Sequence, residues 1–193
     1  MLFPSAAALA HIIEKYHAVE GGQQTLARLG EHLEGMRRLE TAGVRLFGKE
    51  GEQGGLEIIR LFDAPPQVVF DAWTSPERLA RWWRPKGFTL PTCTMDFRVG
   101  GAYRQCMRSP EGRDYWCSGV YTEIVAPERI VFSAVLEHDP GNKVLTTLTF
   151  EEEGTKTRLT VLQTFVVTAT MRQGAPRGWS ETMDRLGDFV GQG

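Results

Sequence analysis

The sequence predicts an α+β domain in which an antiparallel sheet packs against a C-terminal helix. Apolar and polar residues alternate with a period of two over residues 56–62 and again over 93–165, which is typical of half-buried strands. Turn signals built on Gly and Pro divide the second stretch into six segments. Residues 177–190 have the apolar spacing of an amphipathic helix, which would cover the concave face of a curved sheet.

Ahead of this domain, residues 1–47 predict a helical segment, because two apolar stripes recur at helical spacing. The first stripe consists of Leu9, Ile12, Ile13, Tyr16 and Val19, and the second of Leu26, Leu29, Leu33 and Met36. Residues 48–55 interleave glycine with polar residues and predict a linker.

The main domain is predicted over residues 56–190 and opens with a strand over 56–62 that ends at two prolines. Residues 68–73 suit a short helix. Ser75 and Pro76 are typical of the N-cap and first position of a second helix, which runs through Trp83. Six further strands are predicted over 93–99, 102–108, 115–125, 130–137, 144–151 and 157–165.

Composition and charge exclude several classes of protein. The chain has 193 residues, with 22 Lys+Arg against 24 Asp+Glu, and a net charge of −2 argues against a nucleic-acid partner. We expect no membrane partner, since no apolar run approaches the roughly 20 residues that a span needs. Cys93, Cys106 and Cys117 are odd in number and lack CxxC spacing, which favours unpaired thiols and a cytoplasmic location.

The signatures of common catalytic and metal sites are missing from the sequence. Of the four histidines, His11, His17 and His32 lie in the N-terminal segment, and only His138 belongs to the main domain. There is no Gly-x-Ser-x-Gly elbow, and the glycine pair at 100–101 predicts a turn between strands rather than a phosphate-binding loop. We therefore predict no catalytic residue, metal or cofactor.

Several motifs in the main domain resemble the START-like SRPBCC superfamily, and within it the branch named for the activator of the ninety-kilodalton heat-shock chaperone ATPase. The motifs follow in the family's order over about residues 56–190. They are PPQVVFDAW at 65–73, LARWW at 79–83 with Pro85, GGAY at 100–103, GVY at 119–121, PERIVF at 127–132, GW at 178–179 and DRL at 184–186.

This resemblance implies a helix-grip fold, in which a seven-stranded antiparallel sheet wraps around a long C-terminal helix and encloses a hydrophobic cavity. It implies less about activity. Members of the superfamily bind small apolar or aromatic ligands, act as cyclases or hydrolases, or confer toxin resistance. A shared fold does not carry over an activity, and the chaperone in the family name is not by itself a function of this chain.

An internal similarity offers an explanation for the N-terminal segment. Residues 21–33 align with 178–190, and five of the 13 positions are identical. We therefore expect residues 1–36 to resemble the C-terminal tail of a preceding domain copy. A chance likeness between two Leu-rich helices is the competing explanation. If the repeat is real, the apolar face of this helix needs cover. Packing against the outside of the complete domain, displacement of the closing helix in a swap, or a homodimer through residues 1–36 would provide it.

The strand alternation and the expected cavity together predict a set of ligand-binding residues. Trp83 and Phe88 are placed at the mouth, and Trp179, Met183 and Leu186 on the helix that covers it. The predicted wall consists of Phe97, Tyr103, Gln105, Met107, Tyr115, Cys117, Tyr121, Phe132, Leu148, Phe150, Leu159 and Val161. Gln105, Tyr121 and Gln163 are the polar side chains best suited to orient a ligand. The alternative is that all these residues simply fill a core.

Three hypotheses for function remain open. The first is a cytoplasmic, non-enzymatic binding protein for a small hydrophobic or aromatic molecule. The second is an enzyme of the cyclase or hydrolase kind, with Tyr121 or Glu123 as acid or base. The third is a chaperone-associated interaction domain with a role in the stress response. A filled core would favour the third, a cavity with a buried titratable group the second, and an open apolar cavity the first.

Overall fold

The computed structural model describes residues 43–191, which form an α+β domain with eight strands and three helices. The strands are β1 (Val44–Phe47), β2 (Gln53–Phe62), β3 (Thr89–Met95), β4 (Ala102–Arg108), β5 (Asp114–Val125), β6 (Arg129–Leu136), β7 (Asp139–Glu153) and β8 (Lys156–Val166). The helices are α1 (Pro66–Asp71), α2 (Pro76–Trp82) and α3 (Ala169–Val190). The strands pair antiparallel in the order β1-β2-β8-β7-β6-β5-β4-β3.

The predicted helix-grip fold is confirmed, with one strand more than the predicted seven. The additional strand, β1, pairs with β2 where we predicted the end of the helical segment and a linker over 48–55. Gly48 (φ 93°) and Gly51 (φ 82°) form the hairpin turn between the two strands. A Cβ on Gly55 would lie 2.0 Å from the carbonyl oxygen of Gln163. The glycines thus satisfy turn geometry and close strand packing, whereas the composition alone had suggested a flexible linker.

The helix α2 begins as its sequence predicts. The Ser75 hydroxyl accepts a hydrogen bond from the backbone N–H of Arg78 at 3.3 Å, and Pro76 occupies the first position. The helix ends in a pair of tryptophans with different environments. Trp82 is fully buried and donates from Nε1 to the carbonyl of Ala72 at 3.1 Å. Trp83 turns toward the middle of the domain.

The closing helix α3 begins at Ala169, about two turns before the predicted start at 177. Gly174 and Pro176 lie in this added segment, although both residue types disfavour helix interiors. Thr168 nevertheless caps the helix, and its hydroxyl accepts from the N–H of Met171 at 3.2 Å. The two extra turns are important for the site, because they lie over the sheet.

The hydrophobic core lies between the concave face of the sheet and α3. On the helix, Met183, Leu186 and Val190 are buried at three- and four-residue spacing. On the sheet, the largest fully buried side chains are Leu56, Ile58, Ile130, Leu148, Leu159, Val161 and Phe165. Arg60 of β2 also donates to the Ser180 hydroxyl at 2.9 Å, which ties the helix to the sheet. These buried side chains anchor the C-terminal half of the helix to the sheet.

Candidate functional site

A cavity of about 320 Å³ lies between the sheet and the N-terminal half of α3. Its wall comes from β4 to β8, from the loop after α2 and from α3. The lining residues are Trp83, Pro85, Tyr103, Gln105, Met107, Tyr115, Cys117, Phe132, Ala134, Leu136, Val144, Thr146, Gln163, Thr170, Met171, Gly174, Ala175, Gly178, Trp179 and Thr182. The volume falls in the range of about 300–1,000 Å³ that is usual for small-molecule sites.

The strands supply this wall through their alternation. Residues two apart on a strand share a face, so Tyr103, Gln105 and Met107 of β4 all face inward. Gln105 lies opposite Cys117 in the antiparallel register, which brings β5 into the same wall. The sheet therefore presents a continuous inner surface to the cavity.

Small residues of α3 leave the space open on the other side. Gly174, Ala175 and Gly178 follow one another at helical spacing along the cavity face of the helix. A Cβ on Gly174 would meet nothing within 4 Å, and one on Gly178 would meet only Pro85, at 3.7 Å. Larger side chains could therefore stand at these positions, and the small residues are a direct cause of the cavity.

Burial of the lining residues shows which end of the cavity is closed. Gln105 is 8% exposed and Thr146 is fully buried, so the end lined by these side chains is shielded from solvent. Thr170 and Gly174 of α3 are exposed, which places the open end beside the first turns of that helix.

Three side chains in the wall form a hydrogen-bonded chain. Trp179 Nε1 donates to Gln163 Oε1 at 2.8 Å, and Gln163 Nε2 donates to Thr146 Oγ1 at 2.9 Å. Gln163 and Thr146 lie opposite each other on β8 and β7. The chain therefore links α3 to two strands across the cavity wall.

Among the described residues that line the cavity, none has a carboxylate, ammonium, guanidinium or imidazole group. Burial raises the pKa of the Cys117 thiol to about 11 and raises the pKa of the Tyr103 phenol as well. Both groups are neutral at pH 7. The Tyr103 hydroxyl also donates to the carbonyl of Ser133 at 2.8 Å, which fixes the ring in place. The wall is thus aromatic, apolar and uncharged.

The structure brings about half of the predicted site residues into this cavity. Those that line it are Trp83, Tyr103, Gln105, Met107, Tyr115, Cys117, Phe132 and Trp179, together with the polar Gln163. Phe97 and Tyr121 instead line a neighbouring space of about 30 Å³, roughly the share of one water molecule. Trp83, Tyr103, Gln105 and Phe132 border both spaces.

The other predicted residues lie away from the cavity. Leu148, Phe150, Leu159, Val161, Met183 and Leu186 are buried in the packed core, outside the cavity wall. The four of them that lie on β7 and β8 face inward, and α1 packs against these two strands. The Phe150 ring, for example, packs edge-on against Phe70 of α1 at 5.4 Å. Phe88 is also absent from the wall and packs against the Tyr115 ring at 6.1 Å.

Sequence reasoning missed the contribution of the helix. Thr170, Met171, Gly174 and Ala175 line the cavity because α3 begins earlier than predicted. The available signal was the Thr168 cap with helical residues after it. A different reason applies to Ala134, Leu136 and Val144. Only the pairing of β6 with β7 shows that these residues lie beside the cavity.

The proposed acid or base Glu123 lies outside the cavity. Its carboxylate forms an ion pair with Arg129 at 3.1 Å, and both side chains are nearly half exposed. The hydroxyl of Tyr121 belongs to a side chain that lines the smaller space, and burial raises its pKa. Neither of these two candidates therefore lines the 320 Å³ cavity.

Two further observations concern residues 43–191. No group of three or more His, Cys, Asp or Glu side chains is placed there to hold a metal ion. None of the helices described for this part of the chain is both long enough and apolar enough to cross a membrane.

The wrapped sheet, the long C-terminal helix and the cavity between them define a helix-grip protein of the START-like class. The family model described as "Activator of Hsp90 ATPase homolog 1-like protein" matches residues 63–191. The chain belongs to this family.

Solved structures show the same fold. A protein from Chromobacterium violaceum is 29% identical, with a TM-score of 0.64 over 70% of this chain and 96% of that one. The CalU16 protein from Micromonospora echinospora is 25% identical, with a TM-score of 0.57 over 76% of this chain and 85% of that one. The AHSA1 protein from Silicibacter pomeroyi is 24% identical, with a TM-score of 0.64 over 72% and 98%. No curated protein matches the sequence.

Proposed function

We propose that this protein binds a small, uncharged, hydrophobic or aromatic molecule in the cavity between the sheet and α3. The observation that carries the proposal is the cavity, with its volume of about 320 Å³ and its aromatic and apolar wall. At the packing density of protein interiors, this space accommodates about 15 non-hydrogen atoms. That size corresponds to a ligand of two or three fused or linked rings.

The electrostatics of the wall support an uncharged ligand. Moving a charge from water into an apolar site is costly unless an opposite charge or a set of hydrogen bonds replaces its hydration. The described lining residues offer a few neutral polar groups and no ionic partner. A carboxylate or ammonium ligand would therefore lose more hydration free energy on entering the cavity than its contacts with the wall restore.

The three hypotheses from the sequence make different demands on the cavity. An interaction domain that works through its outer surface functions with a filled core, and an enzyme of this kind uses a titratable group in the cavity. The open space and the position of Glu123 at the surface favour the binding protein. The wall does hold the titratable side chains Tyr103 and Cys117, but burial raises the pKa of each, so both stay neutral at pH 7 and neither is poised as a base.

A titration of the full chain with 2-acetylnaphthalene tests the proposal. The Trp83 and Trp179 rings line the cavity, so binding should change tryptophan fluorescence. We expect a Kd on the order of 10 µM and one ligand per chain by native mass spectrometry. The charged compound 2-naphthoate has the same ring system and the same number of non-hydrogen atoms, and should bind at least about tenfold more weakly.

Two results would contradict the proposal. If 2-acetylnaphthalene and a hydrocarbon of the same size both fail to bind, the cavity is not a site for small hydrophobic molecules. If 2-naphthoate binds as tightly as the ketone, the ligand is not selected for lack of charge.

The predicted dimer rests on residues 1–36, which lie outside the described residues. We propose that the apolar stripe of this segment packs against its equivalent in a second copy. Native mass spectrometry of the full chain should then show a dimer that Leu29→Glu dissociates, and a monomer in both proteins would contradict the prediction. The cytoplasmic location also remains a prediction, supported by three cysteines that are free of disulfides in the structure.

A further inference from the structure

The hydrogen-bonded chain in the cavity wall determines how one amide is oriented. Trp179, Gln163 and Thr146 all line the cavity, and Gln163 is the central member. An indole N–H can only donate a hydrogen bond. The Gln163 atom at 2.8 Å from Trp179 Nε1 must therefore be the amide oxygen, and the amide nitrogen faces the other way.

This orientation leaves one donor of the Gln163 amide group available. The Nε2 group has two N–H bonds, and one of them is directed to Thr146 Oγ1 at 2.9 Å. Within residues 43–191, no other acceptor is hydrogen-bonded to Nε2. Turning the amide over would place its two N–H donors against the Trp179 donor, at the cost of a hydrogen bond and a repulsive contact. The amide is therefore held as a donor.

We propose that the ligand carries a hydrogen-bond acceptor, such as a carbonyl, ether or hydroxyl oxygen, and that Gln163 Nε2 donates to it. Trp179 is the positioning residue, because it accepts no hydrogen bond and so holds the amide in the donating orientation. This inference rests on the proposed binding function and specifies the chemical class of the ligand. An uncharged aromatic ketone or ether fits both the cavity and this donor.

The first test compares 2-acetylnaphthalene with 2-isopropylnaphthalene, which has the same number of non-hydrogen atoms but no acceptor. Because these compounds partition differently from water, the readout is the change in their Kd ratio on substitution. The double variant Gln163→Met, Trp179→Phe removes the amide. It also removes the indole N–H of Trp179, which would otherwise lose its acceptor and become free to donate to the ligand. We expect the affinity of the ketone relative to that of the hydrocarbon to fall about tenfold in this variant, which is the usual contribution of one shielded hydrogen bond. Gln67→Met makes the same exchange on the exposed face of α1 and should leave the ratio unchanged.

The possible outcomes separate this inference from the proposed function. A tenfold change in the ratio supports the acceptor. An unchanged ratio with both compounds still bound overturns it and leaves the binding function intact. If the wild-type protein binds neither compound, both proposals fail. Circular dichroism of the variants verifies that they are folded before the ratios are compared.

The second test addresses the role of Trp179 as a positioning residue. Carbazole differs from fluorene by an N–H donor in place of a methylene group. In Trp179→Phe the amide is free to turn its oxygen toward the ligand, so we expect the affinity of carbazole relative to fluorene to rise about fivefold. A residue that only fills space would change both affinities together, and that result would overturn the positioning role.

Discussion

The cavity can be tested by filling it from within. Ala134 lies on β6 in the cavity wall and is 6% exposed. Replacing it with phenylalanine adds roughly 100 Å³ of side chain at the density of a protein interior. Of the 320 Å³ cavity roughly 220 Å³ would remain, with room for about 10 non-hydrogen atoms, fewer than the 13 of 2-acetylnaphthalene. We therefore expect Ala134→Phe to lose binding of 2-acetylnaphthalene by at least tenfold.

The same substitution should stabilise the protein. The added ring buries roughly 100 Å² of apolar surface, which contributes about 2.5 kcal/mol at the usual 25 cal/mol per Å². Lost rotamer freedom and imperfect fit offset part of this gain, about 1–1.5 kcal/mol together. The net increase in the free energy of unfolding is then about 1 kcal/mol, which raises Tm by roughly 2–4 °C for a chain of this size.

The opposite signs of the two effects make the experiment decisive. Differential scanning calorimetry gives Tm, and the tryptophan fluorescence titration gives Kd. Val135→Phe is the matched control, since Val135 is the next residue on β6 and faces the other side of the sheet. It should leave Kd unchanged. If Ala134→Phe binds the ketone as tightly as the wild type, or if it lowers Tm by several degrees, the reasoning from cavity volume is refuted.

Three further predictions concern chemistry and stability. Burial raises the pKa of Cys117 to about 11, so iodoacetamide should alkylate this thiol at pH 8 about 100-fold more slowly in the folded protein than in the urea-unfolded protein. The alkylation rate of the folded protein should keep rising up to about pH 11. A plateau in the rate near pH 9 would contradict this prediction. Leu186→Ala should lower the free energy of unfolding in urea by about 2–5 kcal/mol, because Leu186 is fully buried. The control Leu145→Ala should lower it by less than about 0.5 kcal/mol, because Leu145 is 43% exposed. Thr157→Val should lower the free energy of unfolding by about 1–3 kcal/mol, because the buried Thr157 hydroxyl donates to the Ala64 carbonyl at 2.6 Å. Thr157→Ser keeps this hydroxyl and should retain most of that stability.

The pKa of Cys117 also affects stability at alkaline pH. A thiol whose pKa is raised on folding favours the folded state while it is protonated in both states. That contribution is complete below about pH 9, the ordinary pKa of the thiol, and declines as the pH rises toward 11. Cys117→Ala should therefore reduce the loss of stability between pH 9 and 11, as measured by urea unfolding at each pH.

Local patterns in the sequence were sufficient to predict most of the sheet. The strand β4 was predicted with the bounds that the structure has, 102–108, because its alternation is clear and turns bound it on both sides. The start of α2 at Pro76 followed from its own cap. These are short-range effects that involve residues a few positions apart.

The sequence misled where a local signal has two physical causes. The glycines over 48–55 were interpreted as a linker, whereas Gly48 satisfies a hairpin turn and Gly55 allows the backbone of β8 to approach. The start of α3 was predicted too late, at 177, and Gly174 and Pro176 occur inside the helix, where tertiary packing and the Thr168 cap overcome their low propensity. A propensity of about 1–3 kcal/mol is easily outweighed by the burial of a helix face.

The depth of each residue along the inner face was decided only by the tertiary structure. Alternation leaves two possible inward sets for the strands, and the predicted set places Tyr103 and Leu159 on the same face. It does not show that Leu159 lies in the packed core whereas Tyr103 lines the cavity. The cavity exists because Gly174, Ala175 and Gly178 come to lie opposite the sheet there. That juxtaposition depends on contacts between residues some 40 to 70 positions apart in the chain, which no local pattern records.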